Sequence, residues 1–324
     1  LMRKFFATAL AVAGVQTLLT AAAFGQKTVS IAFGDFDHWV VREIQESGAI
    51  GGELKRIYEI GPDDTLRGDE PYHRSPRSPW GTSNVLAKMN GITKCSATVI
   101  PERRNNGRCA RMDTRLETVK VLGMMNISVL ASGSIFLGDM IEPIKDTKNP
   151  QAKLNQGIPF TERPVALVMD YKYRTDGSPN RIRATGFGAQ KTVAGPDCAD
   201  VILLLQHRWE DAEGNVYARR VATAVERIAT NTPNWVNGHT VVIRYGDLTK
   251  NPASYRAEEM GLLDGERAYW CRNSHGRMVP IHEVGWSPDN EQPTHLILQF
   301  SSSHGGAYVG TVGNSFWVDN VKLK

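Results

Sequence analysis

Apolar and polar residues alternate with a period of two along much of the chain, the signature of strands with one covered face. In residues 165–174, Val165, Leu167, Met169, Tyr171 and Tyr173 share one face, with Asp170, Lys172 and Arg174 on the other. Leu296, Leu298 and Phe300 repeat the pattern. Residues 201–205 are apolar on both faces, as a strand in the middle of a sheet requires. A last strand over 316–323 sets Trp317, Asp319, Val321 and Leu323 on one face. Three of these four are apolar, so this is the expected buried face, and its carboxylate, Asp319, needs a partner, a hydrogen-bond cage or a cation.

Shorter strands are expected at 28–33, 54–60, 96–100, 110–112, 126–137, 216–225 and 239–245, separated by turn signals such as Gly61-Pro62-Asp63-Asp64 and Gly313-Asn314. Helix is expected only as one or two turns at 257–263. The pattern predicts an all-β chain, an antiparallel β-sandwich of jelly-roll type with long loops and very little helix. No repeat or linker divides it, so residues 26–324 read as a single domain.

Residues 1–25 stand apart. Arg3 and Lys4 precede an apolar run without acids, and Ala23-Phe24-Gly25 supplies small residues for cleavage, so a secretory leader is expected there. No later stretch is long and apolar enough to span a bilayer. The formal net charge is +4, with two of the basic residues in the leader, and this near-neutral balance argues against nucleic acid as a partner. The four cysteines (Cys95, Cys109, Cys198, Cys271) lack metal-ligand spacing. Cys95 and Cys109 flank the turn at 101–107 and are the more plausible disulfide pair.

Candidate chemistry centres on loop 71–84, whose three prolines exclude helix interior and central strand. Its length suggests a functional loop. Trp80 offers a stacking surface for a sugar ring, and Arg74, Arg77 and Asn84 offer donors for hydroxyls or carboxylates; Trp286 is a further loop tryptophan. Trp39, Trp209 and Trp317 lie on or beside strands and are expected in the core. Glu117, Asp170, Glu210, Asp211, Asp247 and Glu283 are the acids available for glycoside hydrolysis, with nothing in the sequence to pair two of them. Asp35 or Asp37 with Asp319 are expected to hold a structural calcium ion.

The segments at 71–88, 122–139, 157–173, 206–221 and 316–323 together resemble the putative carbohydrate metabolism domain family, exported β-sandwich proteins of glycan-using bacteria. A broader similarity is to galactose-binding-type jelly rolls, with Gly34-Asp35-Phe36-Asp37-His38-Trp39 and Phe316-Trp317-Val318-Asp319-Asn320-Val321 at the two ends. That similarity implies that the first and last strands lie together and share a calcium ion. The expected function is binding of an oligo- or polysaccharide outside the cytoplasm, in the periplasm, at the cell surface or secreted. The alternatives are a glycoside hydrolase or polysaccharide lyase using acids in the same cleft, and a structural envelope or adhesin module.

Overall fold

The computed structural model describes residues 28–121, 125–186 and 188–324, so the leader expected over 1–25 lies outside the described residues. The alternating segments form strands. Those used below are β1 (Trp39–Gln45), β2 (Leu54–Ile60), β3 (Val85–Met89), β4 (Ile92–Ser96), β5 (Gly107–Val121), β6 (Met125–Ser132) and β7 (Ser134–Met140). They continue with β8 (Ala166–Arg174), β9 (Ala199–Glu210), β10 (Val216–Ile228), β11 (Val236–Val242), β12 (Met278–Trp286), β13 (His295–Ser301) and β14 (Ser315–Leu323). Among the described residues the α-helix is one turn, α1 (Ala257–Met260). No helix there is long and apolar enough to cross a membrane.

Two large sheets carry the fold. One has eight strands, with β6-β5-β14-β8-β11 in its path; the other has ten, with β7-β13-β9-β10-β12 in its path. The fold is predominantly β, with a half-barrel sheet. Leu167, Met169 and Phe316 from the first sheet and Leu203, Leu298 and Phe300 from the second meet in one core. The short strand Val29–Ser30 pairs with β14, so the two ends of the described chain lie together. Pairing departs from antiparallel at β10 and β12, which run parallel with Val216 opposite Ile281. The excursion through residues 229–277 makes this possible, because parallel neighbours need a long crossover rather than a hairpin.

The last strand corrects the expected register. Asn320 adopts φ 53°, a left-handed conformation that asparagine tolerates better than most residues. The irregularity puts Phe316 and Val318 before it, and Val321 and Leu323 after it, into the core. Trp317 and Asp319 therefore turn outward. There the cationic ends of Lys172, Arg111 and Arg174 stand 4.8, 5.2 and 5.7 Å from the Trp317 ring, which explains why an outward tryptophan is only 4% exposed.

The Cys95–Cys109 bridge is not formed, and all four cysteines are unbonded and buried. Cys95 packs with Ile44, Ile57 and Leu86 in a satellite core, whereas Cys109 sits on β5 with its thiol near the Glu102 carbonyl. Burial pushes both thiols up to about 12.

Candidate active site

The face of the ten-stranded sheet turned away from the core forms the floor of a cleft of about 1050 Å³. Its walls come from the β3–β4 hairpin, β5, β6 and loop segments around 144–154, 258–270 and 304–308. Strand register sets a polar row across the floor: Ser134 on β7 is opposite Ser301 on β13, Ser301 opposite Asp200 on β9, and Asp200 opposite Arg227 on β10. Residues directly opposite on neighbouring strands share a face, so the four side chains stand side by side. The next row inward, Gln299-Ile202-Val225, is mostly apolar.

Asp200 holds the most unusual position in this floor. Its Oδ1 lies 3.8 Å from Arg227 Nε, too far for a hydrogen bond, and neither atom has another partner. Arg227 also reaches Glu259 Oε1 at 3.6 Å, and Glu259 Oε2 accepts from Arg256 Nε at 2.5 Å. Burial raises the Asp200 carboxyl, Arg227 and His304 oppose it, the Glu259 charge adds to it, and the group is pushed up to about 6. Two further buried polar atoms of the cleft lining, Ser132 Oγ and Gln151 Oε1, make no hydrogen bond. Buried polar groups are nearly always paired. All four residues line the cleft, and a cleft edged by polar side chains from three parts of the fold suits a ligand rich in hydroxyls.

Beside the floor, His304 bridges the walls without forming a catalytic triad. Asp197 and the Cys198 thiol both meet its Nδ1, at 3.0 and 3.1 Å, while Arg181 donates to Nε2 at 2.9 Å. A nucleophile-activating imidazole needs its orienting acid and its nucleophile on different nitrogens. Burial pushes the Cys198 thiol up to about 12. Asp197 instead accepts from Ser303, Thr311 and Asn314, and pins the 303–314 segment to the cleft edge.

Residues 53–238, more than half of the 324-residue chain, match the family model described as Putative carbohydrate metabolism domain. The chain belongs to that family. Membership links it to carbohydrate metabolism in general. No curated protein matches it. Among solved structures, it is similar to a putative glycoside hydrolase from Bacteroides thetaiotaomicron, at 16% identity and TM-score 0.46, over 88% of this chain and 70% of that one. It is also similar to a putative glycoside hydrolase from Bacteroides vulgatus, at 14% identity and TM-score 0.40, over 92% and 95%.

Most residues of the expected binding loop are packed into the fold. Trp80 is fully buried, edge-on to Phe36 at 5.2 Å and 6.3 Å from Phe300, and its indole N–H donates to Ala32 O at 2.9 Å. It begins a short strand, Trp80–Thr82, paired with β7. Asn84 is buried too, tying Tyr58 O and Val99 O to its amide. Arg74 donates to Ser78 O within the loop, and Arg77 is exposed. Trp286 is half-buried, edge-on to Tyr255 at 6.4 Å and 5.7 Å from the Arg220 guanidinium. None of these five residues lines the cleft.

The chain-end acids are held by other partners. Asp319 Oδ2 pairs with Arg104 at 2.5 Å and its Oδ1 accepts from Asn320 N. Asp37 accepts from Arg108 N at 2.7 Å, and Asp35 is exposed. Among the described residues no group of three His, Cys, Asp or Glu side chains is arranged to hold a metal.

Of the six acids considered for hydrolysis, Glu117 alone lines the cleft, where it accepts from Ser96 Oγ at 3.0 Å. Asp170 binds Arg104 and Gly238 N, Glu210 takes two bonds from Ser274, and Asp211 and Asp247 cap turns. Glu283 is buried against Arg220, Gln206 and Leu263 N. Asp200 and Glu259 escaped the sequence reading. The available signal was the acid directly before the doubly apolar run 201–205: an aspartate that extends a strand covered on both faces must itself face a covered space.

Proposed function

We propose that this member of the carbohydrate metabolism family cleaves glycosidic bonds in the cleft, with Asp200 as the proton donor. The observation that carries the reading is the arrangement around Asp200: a mostly buried carboxyl, loosely paired with Arg227, in a polar row on the floor of a large cleft. A glycoside hydrolase needs one carboxyl still protonated near neutral pH and a second one ionised across the scissile bond. Glu259, salt-bridged to Arg227 and Arg256, would take the second role. One guanidinium touching both acids limits their separation to a distance comparable with the ~5–9.5 Å used by such pairs. Asp200 would protonate the leaving oxygen while Glu259 attacks the anomeric carbon or activates water; Ser132, Gln151 and Ser301 would meet the hydroxyls.

The pairing of Val29–Ser30 with β14 supports the jelly-roll reading of the fold, and the leader pattern at 1–25 supports action outside the cytoplasm. Incubation with a polysaccharide panel and analysis of the products tests the proposal. New reducing ends that disappear in Asp200→Asn are expected. Unsaturated sugar ends would replace hydrolysis by elimination. Tight binding by wild type without any product would leave the cleft as a binding site only.

A further inference from the structure

The core face of β9 does not end where the core ends. Leu203 and Leu205 are buried in it; two and four residues further on, His207 and Trp209 emerge from it. Trp209 is 40% exposed, although a strand tryptophan is expected to be covered. Register places Tyr217 of β10 opposite Trp209, and His282 of β12 opposite Tyr217. The three rings form a row across three strands, with centroids 5.9 and 5.7 Å apart and planes inclined by 22° and 37°. Side chains alternate along a strand, so the row lies on the opposite sheet face from the cleft floor, and none of its rings lines the cleft.

Polar groups accompany every ring. The Asp211 charge acts on the Tyr217 hydroxyl, Asp264 Oδ1 lies 2.7 Å from His282 Nδ1, and the Arg219 guanidinium is 5.7 Å from the centre of the Trp209 ring. An interface for another protein would have an apolar centre with charge confined to its rim. Here carboxylates, a guanidinium and aromatic rings alternate. That composition complements a pyranose, which presents one C–H face to a ring and a rim of hydroxyls to donors and acceptors.

We propose that the Trp209–Tyr217–His282 row is a second carbohydrate site, a surface platform that holds a polysaccharide chain while the cleft remains free. The site does not depend on the assignment of Asp200. Native gels containing xylan, mixed-linkage β-glucan, galactomannan or pectin test it, run with the Asp200→Asn protein so that no gel polymer is digested. At least one polymer is expected to retard the protein. Trp209→Ala, and separately Tyr217→Ala, should weaken that retardation tenfold or more, with thermal midpoints unchanged because both side chains lie at the surface. Cleavage of short oligosaccharides by the Trp209→Ala protein with Asp200 intact should match wild type. Retardation by none of the four polymers, or retardation unaffected by Trp209→Ala, overturns the proposal. Self-association that Trp209→Ala abolishes, without retardation, would make the row a contact between copies instead.

Discussion

Replacing Trp80 by alanine asks whether loop 71–84 meets a ligand or holds the fold. Trp80 has no exposed surface, and its ring fills the space between Phe36 and Phe300. Truncating a buried tryptophan to alanine removes its transfer energy and leaves a cavity, together about 3–5 kcal/mol. The Ala32 carbonyl also loses its indole donor, adding about 1 kcal/mol if water does not reach it. For a chain of this size each kcal/mol corresponds to roughly 2–4 °C, so the thermal midpoint should fall by about 10 °C or more. Urea unfolding followed by tryptophan fluorescence measures the free-energy change directly. A midpoint within a degree or two of wild type, combined with lost glycan binding, would refute the packing argument and restore the loop as a binding element.

Arg42 is buried between Glu59 and Glu142, and burial, reinforced by the Glu142 charge, pushes Glu59 up to about 8 against the opposing pull of Arg42. The folded state then holds a proton that the unfolded state has released, so stability should decline as pH rises from about 4.5 to about 8 and then level off. Glu59→Gln should flatten that decline in urea titrations at pH 5 and 8.5; an unchanged slope would remove Glu59 as its source. Arg104→Met should cost about 3 kcal/mol, because it leaves Asp170 and Asp319 facing each other without their shared cation. Millimolar calcium should leave the wild-type thermal midpoint unchanged, since Arg104 already neutralises Asp319; a rise reversed by chelator would establish the chain-end calcium site instead.

The strands at 165–174 and 294–300 were legible because period-two alternation maps directly onto one covered face. Alternation failed at β14, where the single left-handed residue Asn320 changes which side chains point inward; nothing in the spacing of Trp317, Asp319 and Val321 reveals it. Trp39 and Trp317 are buried, but Trp80 and Trp209 exchanged their expected environments. Proline-rich sequence suggested exposure at Trp80, yet the loop folds back to pair with β7, while β9 outruns its covering sheet and leaves Trp209 in the open. The candidate site was the least legible part. Asp200, Arg227 and Glu259 meet only through long-range pairing of β9 with β10 and the return of α1 against them, and no local motif records that meeting.

The most direct test is the pH dependence of glycan cleavage, measured as kcat/KM, for wild type and Asp200→Asn. A proton donor must be protonated in the free protein, so activity should be lost as pH rises through about 6, the value to which Asp200 is pushed. Asp200→Asn should lower kcat/KM by at least a hundredfold, remove that limb and leave oligosaccharide binding intact. A substituted protein that cleaves as well as wild type, with the same limb at pH 6, would contradict the assignment of Asp200 and with it the proposed chemistry of the cleft.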